Sequence, residues 1–235
     1  IKMREFLISG LKEIGVEYTE KKVDNLLKYL SMLLEYNSHT NLTAMRDEKL
    51  IIEKHFLDSL LLQKLIKEDM RSAIDVGTGA GFPGMVLAIF NENIRFTLMD
   101  SIGKKTKFLQ MVKDKLGLEN VEVVTSRAED FISDEKRESY DLGLCRGVSK
   151  LSTILEYIIP FLKEGGIFLS QKMEGTGEEA EAENALAVLK SEIVEIFNFN
   201  LPFSKDSRVV IEIKKKEKTD KKYPRRAGIP LKRPL

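Results

Sequence analysis

Asp75-Val-Gly-Thr-Gly-Ala-Gly-Phe-Pro-Gly84 is the stretch of this 235-residue chain that decides its fold. A short apolar run precedes it and the apolar segment 85–90 follows it, which is the order of a strand, a tight glycine turn and a helix. Glycine carries no Cβ, so the backbone can turn sharply there and a ligand can lie against it. Pro83 suits the first turn of the helix, where its missing N–H is not needed. The N-terminus of this helix then faces whatever binds over the turn.

Two cofactor-binding patterns fit residues 75–84. Residues 79–84 match G-x-G-x-x-G, the dinucleotide fingerprint. Asp75, however, precedes the glycines, and Asp-x-Gly-x-Gly-x-Gly is typical of class I methyltransferases that bind S-adenosylmethionine. A carboxylate there disfavours a diphosphate and suits the cationic sulfonium and amino groups. We therefore predict S-adenosylmethionine as the cofactor, bound by Asp75, Gly77, Gly79 and Gly81, with an NAD-binding oxidoreductase as the alternative.

The second predicted strand also ends in an acid. Asp100 closes the run Arg95–Asp100, about 25 residues after the turn, where a carboxylate can accept hydrogen bonds from both ribose hydroxyls. Either class of cofactor would use this group. Asp100 is therefore a predicted cofactor ligand that does not discriminate between the two patterns.

The composition is that of an ordinary globular protein, with 43% hydrophobic and 32% charged residues. One cysteine excludes an internal disulfide framework and favours a reducing compartment, so we expect a cytoplasmic protein. Two histidines and that cysteine offer no cluster of metal ligands, and we expect no metal. No apolar run approaches the length of a membrane span, so we expect no membrane partner and, by default, a monomer.

From residue 72 the pattern alternates between strand and helix, which is typical of a parallel sheet. Strands are predicted at 72–76, 95–100, 121–125, 140–145, 166–171, 193–199 and 208–214, with helices at about 84–91, 104–116, 152–162 and 178–190. The last two strands should form an edge hairpin with one antiparallel strand. The predicted fold class is α/β, a class I S-adenosylmethionine-dependent methyltransferase with a Rossmann-like seven-stranded sheet.

We divide the chain into a helical subdomain at 1–70, whose third helix spans about 47–67, a methyltransferase domain at 71–214 and a basic tail at 215–235.

The C-terminal residues are strongly basic. Residues 214–235 hold ten Lys or Arg and two acids, a net charge of +8, which leaves −7 for the rest of a chain whose total is +1. A basic tail on an acidic body favours a polyanionic partner, nucleic acid before membrane. We assign Tyr223, Arg225 and Arg226 to RNA binding and expect the prolines to hold the tail extended, with little contribution to folding. A solvated tail without a partner is the alternative.

Ligands bind outside the carboxyl ends of the strands in open α/β sheets. Arg127, Arg146 and Lys172 all follow predicted strands, and Arg208 starts the last one. One such cation is usually a salt-bridge partner, but several beside a cofactor crevice would form a positive pocket for a phosphate backbone. Glu129 or the neighbouring acid Asp130, after the third strand, would suit the adenine amine.

Absent motifs narrow the methyl acceptor. The fourth strand leads into Leu144-Cys-Arg-Gly147 and lacks the Asn/Asp-Pro-Pro-aromatic motif of many amine-directed methyltransferases. Cys145 has no preceding proline and no second cysteine, so we interpret it as a small side chain at the strand end and not as a nucleophile. Guanine N7 fits these absences, because its lone pair needs no deprotonation and transfer needs only alignment and electrostatics.

Together these residues resemble the glucose-inhibited division protein B family (GidB/RsmG), the bacterial 16S rRNA guanine-N7 methyltransferases. The resemblance covers nearly the whole chain: Tyr36-Asn37, Asn41-Leu-Thr43, His55-Phe-Leu-Asp-Ser59, the glycine turn, Leu98-Met-Asp-Ser101, Lys104-Lys105, Ser126-Arg-Ala-Glu129, Arg146-Gly147, Lys172 and residues 223–230. Departures are Ala80, where many members have proline, and Cys145-Arg-Gly147, where Ser/Ala-Arg-Ala is usual.

The resemblance implies a cytoplasmic enzyme that acts near the decoding region of the small subunit. It implies cofactor contacts at Gly77, Phe82, Ala128, Glu129 and Arg146. It associates Asn41, Arg127, Lys172 and Arg208 with activity or RNA contact. The predicted catalytic set is therefore Asn41, Arg127, Arg146 and Lys172. The predicted RNA-binding set is Arg127, Lys172, Arg208, Tyr223, Arg225 and Arg226. An RNA-binding assembly factor that keeps the cofactor fold without turnover is the alternative. His55 and Asp58 share a helix face, and we favour a structural role for them over a place at the substrate mouth.

Overall fold

The computed structural model describes residues 2–147, 149–172 and 177–235. A seven-stranded sheet runs through it in the order β3-β2-β1-β4-β5-β7-β6. The strands are β1 Ser72–Val76, β2 Arg95–Asp100, β3 Val121–Thr125, β4 Tyr140–Arg146, β5 Leu162–Lys172, β6 Ser191–Asn200 and β7 Ser207–Lys215. Strands β1 to β5 pair in parallel, and β7 pairs antiparallel with both β5 and β6. The predicted strand positions and the edge hairpin are confirmed, although β5 starts four residues earlier than expected.

Helices cover both faces of the sheet and precede it. They are α1 Lys2–Glu13, α2 Glu20–Asn37, α3 Glu48–Ile51, α4 Asp58–Leu60, α5 Gly84–Phe90, α6 Gly103–Leu116, α7 Ala128–Phe131, α8 Leu151–Ile158, α9 Glu178–Glu181, α10 Glu183–Val188 and α11 Ile229–Lys232. The continuous helix predicted at 47–67 is wrong. A π-helix at Ile52–Leu57 separates α3 from α4, and five of its six residues are buried, so its side chains meet neighbours on several sides at once. The helix predicted at 178–190 is likewise split into α9 and α10.

The N-terminal helices and one face of the sheet share a hydrophobic core. Leu7 and Leu26 from the first two helices belong to the same buried cluster as Met85, Leu98 and other residues of the sheet layer. A second cluster on the opposite face packs α8 and α10 against β4, β5 and β7. The domain limits at 70 and 214 stay predictions, but the core is continuous across the first of them.

The C-terminal segment, residues 216–235, lies against α8. Arg225 donates from its backbone N and its guanidinium to Glu156, which is fully buried, with a closest distance of 2.7 Å. The Tyr223 ring is buried, and Arg137 donates to the Tyr223 carbonyl. Thr153 Oγ1 donates to the Pro230 carbonyl at 3.2 Å. The expectation of an extended tail is therefore wrong, because its proline and aromatic residues pack and its arginine pairs with a buried acid.

The docked segment also bears on the residues assigned to RNA. A buried Tyr223 ring cannot stack on a base unless the segment undocks. Arg225 pairs with Glu156 but its side chain is 26% exposed, so its assignment to RNA binding stays a prediction. Arg226 is exposed and its assignment stays a prediction. Within the described part of the chain, no helix combines the length and apolarity needed to cross a membrane.

Candidate active site

A cavity of about 580 Å³ opens at the carboxyl ends of β1, β2 and β3. Its size lies in the range of sites that enclose a small organic ligand. The glycine turn, the end of β2, the start of α7 and the C-terminal segment line it, through Val76, Gly77, Asp100, Ser101, Ile102, Lys105, Ser126, Arg127, Ala128, Glu129, Tyr157, Gly228, Leu231 and Lys232. Five of the residues predicted to bind the cofactor or RNA, Gly77, Asp100, Arg127, Ala128 and Glu129, are thus brought together.

Asp100 is buried at the floor of this cavity and is held by the backbone. Its Oδ2 accepts from the N–H of Gly79 and its Oδ1 accepts from the N–H of Ile102, both at 2.9 Å. Each carboxylate oxygen has a second lone pair. The side chain is therefore fixed in position and can still accept from two hydroxyl groups.

The glycine turn leaves room for a ligand on one side only. Gly79 has φ +61°, and a Cβ built there would meet nothing within 4 Å, so the turn presents bare backbone to open space. Gly81, at φ +110°, faces the interior instead, where a Cβ would collide with the Tyr29 hydroxyl and with Met85. Gly79 therefore fits the predicted role in cofactor binding, whereas Gly81 is required by packing.

Asp75 supports the turn from below. It is fully buried, and its Oδ2 accepts from Thr78 Oγ1 and from the Gly84 N–H, both at 2.8 Å. Burial raises the pKa of this carboxyl to about 7. Asp75 is not among the residues that line the cavity, so its observed role is to tie the glycine turn to the first turn of α5. Contact with the cofactor stays a prediction.

Glu129 lies at the opposite side of the cavity, on α7. Its Oε2 accepts from the N–H of Gly228 in the C-terminal segment at 3.0 Å. The neighbouring Arg127 is the residue before α7, and its side chain lines the cavity. The cavity is thus closed on one side by a segment that the sequence had assigned to RNA.

A second group of side chains gathers where β4 and β5 end and β7 begins, and we call it the basic edge. The pairing of Arg146 with Gln171 and of Lys172 with Val209 makes these strand ends neighbours. Arg208 Nε lies 3.2 Å from Asp58 Oδ1, and Arg146 Nη1 lies 3.6 Å from Asp58 Oδ2. Burial raises the pKa of Asp58, and the two arginines oppose that shift. Two cations share this one acid, and the charge of buried Glu53 also raises the pKa of Asp58.

His55 joins this cluster to the glycine turn. Its ring stacks on Phe82 with centroids 4.3 Å apart, and Arg146 Nη2 donates to its Nδ1 at 2.9 Å. Burial, together with the charge of Arg146, lowers the pKa of His55 to about 3. The neutral ring must accept at Nδ1, so Nε2 carries the proton and donates to Thr43 Oγ1 at 3.0 Å. The observed role of His55 is structural, and Phe82 is buried beneath it.

Asn41 lies on the loop that follows α2. Buried Asn37 folds this loop by accepting from the N–H groups of Leu42 and Thr43. Asn41 itself is exposed, and its Oδ1 accepts from Arg46 Nη2 at 3.0 Å. The chain of contacts from Thr43 through His55 to Arg146 connects this loop to the basic edge.

Lys172 ends β5 beside the same cluster. Its Nζ donates to the Ser149 carbonyl at 2.8 Å and pairs with Glu178 at 3.2 Å. Asn41, Arg146, Lys172 and Arg208 thus lie on one side of the cavity residues, on neighbouring elements, whereas Arg127 lies at the far side of the cavity. Among the described residues, no group of three or more His, Cys, Asp or Glu side chains is placed to hold a metal ion.

The chain matches known proteins along nearly its whole length. Residues 22–208 match the family model GidB, rRNA small subunit methyltransferase G. The ribosomal RNA small subunit methyltransferase G of Fusobacterium nucleatum subsp. nucleatum is 61% identical over 233 residues, which are 99% of this chain and 100% of that protein. The protein of the same name from Acetivibrio thermocellus is 42% identical over 236 residues, 100% of this chain and 98% of the relative.

The chain belongs to the rRNA small subunit methyltransferase G family. The family and the methyltransferase activity predicted from sequence are confirmed, and the oxidoreductase alternative is set aside. Among solved structures, M. jannaschii TYW2 in complex with AdoMet is similar, with a TM-score of 0.54 and 13% identity over 67% of this chain and 76% of that one. This likeness shows the fold alone, which agrees with the predicted class I arrangement.

Sequence reasoning missed several residues of this methyltransferase site. Tyr157, Gly228 and Leu231 line the cavity, and Thr43 and Gln171 complete the basic edge. Gln171 and Thr43 had local signals, since one follows a predicted strand and the other belongs to a family motif. Gly228 belongs to the family motif at 223–230, but neither it nor Leu231 had a signal that placed it at the cavity, because the route of the C-terminal segment depends on an ion pair with Glu156, 69 residues away from Arg225 in the chain.

Proposed function

We propose that this enzyme transfers a methyl group from S-adenosylmethionine to N7 of a guanine in the decoding-region loop of 16S rRNA. Small-subunit rRNA is the substrate of the family to which the chain belongs. The proposal adds the base, the atom and the way in which the transfer is assisted. The observation that carries it is the division of the carboxyl edge into an open cavity and a basic edge whose candidate bases are already occupied.

The cavity fits S-adenosylmethionine. Gly77 and Gly79 offer bare backbone, Asp100 offers two fixed acceptors for ribose hydroxyls, and Ala128 with Glu129 forms the opposite side. When bound there, S-adenosylmethionine supplies a methyl group on a sulfonium that a lone pair can attack directly. The residues of this chain bind the donor, hold its ribose and exclude water from it.

The basic edge suits a phosphate backbone. Arg146, Arg208 and Lys172 come from three neighbouring strands and face two acids, Asp58 and Glu178. Three cations at neighbouring strand ends favour a polyanion at this edge, where phosphate contacts position a nucleic acid and base contacts select the target. Asn41, on the loop joined to the edge through Thr43 and His55, and Arg127, at the far side of the cavity, are candidates for contacts with the guanine and its neighbours.

Of the groups that could act as a general base, His55 and Asp58 are engaged in hydrogen bonds, and Asp75 does not line the cavity. His55 accepts from Arg146 and donates to Thr43, and Asp58 accepts from Arg208 and Gln171. Asp75 is fully buried beneath the glycine turn. A reaction that removes no proton before transfer fits this arrangement, and guanine N7, an acceptor with a free lone pair, is such a target. The catalytic contribution expected of the enzyme is alignment of N7 with the methyl group.

Mapping of the methyl group tests the proposal. The enzyme is incubated with tritiated-methyl S-adenosylmethionine and 30S subunits that lack the modification, and in parallel with naked 16S rRNA. We expect one labelled guanosine, at which borohydride reduction and aniline treatment cleave the strand, because methylation at N7 makes the ring susceptible to reduction.

Two results would contradict it. A label without cleavage places the methyl group on another atom, and an absence of label with a preparation that binds S-adenosylhomocysteine indicates a non-catalytic RNA-binding factor. Asp100→Asn should reduce the label strongly, whereas the exposed Glu119→Gln serves as a control that leaves it unchanged.

A further inference from the structure

The C-terminal segment contributes one wall of the cavity that the proposed function assigns to S-adenosylmethionine. Gly228, Leu231 and Lys232 line this cavity together with the ends of β1, β2 and β3. Apart from the segment, the lining comes from the sheet edge and the helices beside it. The inference below rests on the proposed function for the identity of the ligand.

Two large apolar side chains of the lining are exposed. Ile102 follows β2 and has 43% of its surface accessible, and Leu231 on α11 has 60%. Single exposed leucines are common on protein surfaces and need no explanation. Here, however, both exposed side chains line the same cavity, one from the loop after β2 and the other from α11 of the C-terminal segment. A flat apolar group in the cavity would bury both of them.

The segment that carries Leu231 is held in place on both sides of that residue. Arg225 pairs with fully buried Glu156, and Arg225 Nη2 also donates to the Arg233 carbonyl at 2.6 Å. Thr153 Oγ1 donates to the Pro230 carbonyl, the residue immediately before Leu231. The exposed leucine is therefore fixed against α8 and does not belong to a loose end of the chain.

Polar groups beside the two apolar side chains match the rest of an adenosine. Asp100 lies two residues before Ile102 in the chain and offers acceptors for the ribose. Glu129 accepts from Gly228 through Oε2, and this contact joins the segment to the helix on which the predicted adenine partner lies. The flat ring with apolar faces that fits between Ile102 and Leu231 is then the adenine.

We infer that the adenine ring of S-adenosylmethionine packs between Ile102 and Leu231, so that the C-terminal segment is part of the cofactor site. Leu231 contacts the face of the ring opposite to Ile102. The contacts of Arg225, Tyr223 and Pro230 hold the segment in the position from which Leu231 reaches the ring. The segment thus serves cofactor binding while it is docked, whether or not its exposed lysines also meet RNA.

Ligand affinity in a leucine variant tests this inference. Titration calorimetry would compare wild-type enzyme and Leu231→Ser for S-adenosylhomocysteine and for 5′-methylthioadenosine, which keeps the adenosine and lacks the amino acid. We expect both dissociation constants to rise by the same factor, about five- to tenfold, for the loss of one apolar contact of this size. The melting temperature without ligand should not change, because Leu231 is mostly exposed.

Matched variants complete the experiment. Leu50→Ser makes the same change at a leucine of α3 that is 43% exposed and outside the cavity, and it should leave both affinities unchanged. Leu231→Met keeps an apolar contact and should bind nearly as well as wild type. Trypsin cleavage after Lys232 should slow when S-adenosylhomocysteine is present.

The outcomes separate the inference from the proposed function. If wild type binds S-adenosylhomocysteine and Leu231→Ser binds it equally well, the inference is overturned and the proposed function stands. If the dissociation constant for 5′-methylthioadenosine is unchanged while that for S-adenosylhomocysteine rises, Leu231 does not contact the adenine and the inference is likewise overturned. Failure of wild type to bind either ligand would overturn both.

Discussion

The two halves of the sheet's carboxyl edge are built in opposite ways. At the ends of β1, β2 and β3, the backbone of the glycine turn, the fixed carboxylate of Asp100 and side chains from α7 and the C-terminal segment surround open space, and Gly79 presents no side chain to it. At the ends of β4 and β5, long charged side chains fill the space themselves, with Arg146, Arg208 and Asp58 in mutual contact. The first half leaves room for a ligand to enter. In the second half the charged side chains already pair with one another.

This difference separates the tasks of the two halves. A cavity lined by backbone binds a small molecule without rearrangement, so it is suited to a cofactor that must enter and leave in each cycle. A cluster in which arginines share an acid keeps its cations oriented when no RNA is bound. We expect changes in the first half to alter cofactor affinity, and changes in the second to alter stability and methyl transfer.

Removal of the shared acid has the largest expected effect. Asp58→Ala leaves buried Arg208 without an acid to pair with and removes one of the two acceptors that Asp58 offers to Gln171, so the free energy of unfolding should fall by about 3 to 5 kcal/mol. Urea denaturation measures this loss. Asp206→Ala removes the carboxylate of an exposed pair with Lys54 and should cost less than about 1 kcal/mol. A fall in S-adenosylhomocysteine affinity as large as that of a cavity variant would show that the two halves are not separate.

The second largest effect is expected when Asp100, the proposed acceptor for the ribose hydroxyls, is removed. Asp100→Ala should weaken S-adenosylhomocysteine binding by about 2 to 3 kcal/mol, the range for a lost hydrogen bond to a charged group. Asp100→Asn keeps one carbonyl oxygen, so its affinity for S-adenosylhomocysteine should lie between those of wild type and Asp100→Ala. Calorimetry measures these affinities, with Glu119→Ala at an exposed position as the control. An unchanged affinity in Asp100→Ala would mean that the cavity holds the cofactor in another way.

The stability of the protein should depend on pH in opposite directions through Asp75, beneath the glycine turn, and His55, beside the basic edge. The pKa of Asp75 is raised from 3.8 to about 7, so its contribution is present below pH 3.8 and is lost as the pH rises through 7. The pKa of His55 is lowered from 6.5 to about 3, so its contribution is present above pH 6.5 and is lost as the pH falls. Between pH 4 and 6.5 the two effects oppose each other.

Single variants at these two positions should therefore change the slope of stability against pH in opposite directions. Relative to wild type, Asp75→Asn should make stability rise with pH more steeply by about 1.4 kcal/mol per unit, and His55→Gln should make it rise less steeply by the same amount. Urea denaturation at pH 4.5, 5.5 and 6.5 gives both slopes. Parallel profiles in both variants would show that neither group has a shifted pKa.

The smallest effect is expected at the hydrogen bond between Thr43 and His55, which joins the loop of Asn41 to the basic edge. Thr43→Val removes the acceptor of His55 Nε2 and should cost about 1 kcal/mol of stability. It should lower the rate of methyl transfer, because the loop is no longer tied to the cluster, and leave cofactor affinity unchanged. Thr40→Val, on the same loop with an exposed contact to His39, is the matched control. Equal rates in the two variants would show that the connection has no role in transfer.

Local signals accounted for the cavity better than for the basic edge. The glycine turn and Asp100 were predictable because each function depends on a residue and its immediate neighbours in sequence. The alternation of apolar runs likewise fixed seven strand positions to within a few residues. The π-helix at Ile52–Leu57 was not predictable, because helical periodicity does not show a segment whose side chains are buried on several sides.

The C-terminal segment shows why the rest was missed. Its charge was visible, but the fate of each charge depends on partners that are distant in sequence. Arg225 meets Glu156, and Lys215, which is fully buried, donates to the carbonyls of Ile159 and Leu162. Composition alone assigned these cations to solvent and RNA, whereas the fold uses them to anchor the segment.

Transfer by alignment, without a general base, is the central claim of this account, and the pH dependence of a single turnover tests it most directly. Enzyme saturated with S-adenosylmethionine is mixed with 30S subunits lacking the modification, and the first-order rate of methyl transfer is followed between pH 6.5 and 8.5. We expect a rate that is nearly constant above about pH 8, where Asp75, with its pKa of about 7, is already ionised, because N7 loses no proton and the nearby histidine stays neutral throughout the range. A rate that still rises tenfold per pH unit there would contradict the claim, since it would mean that a proton must be removed before the methyl group is transferred.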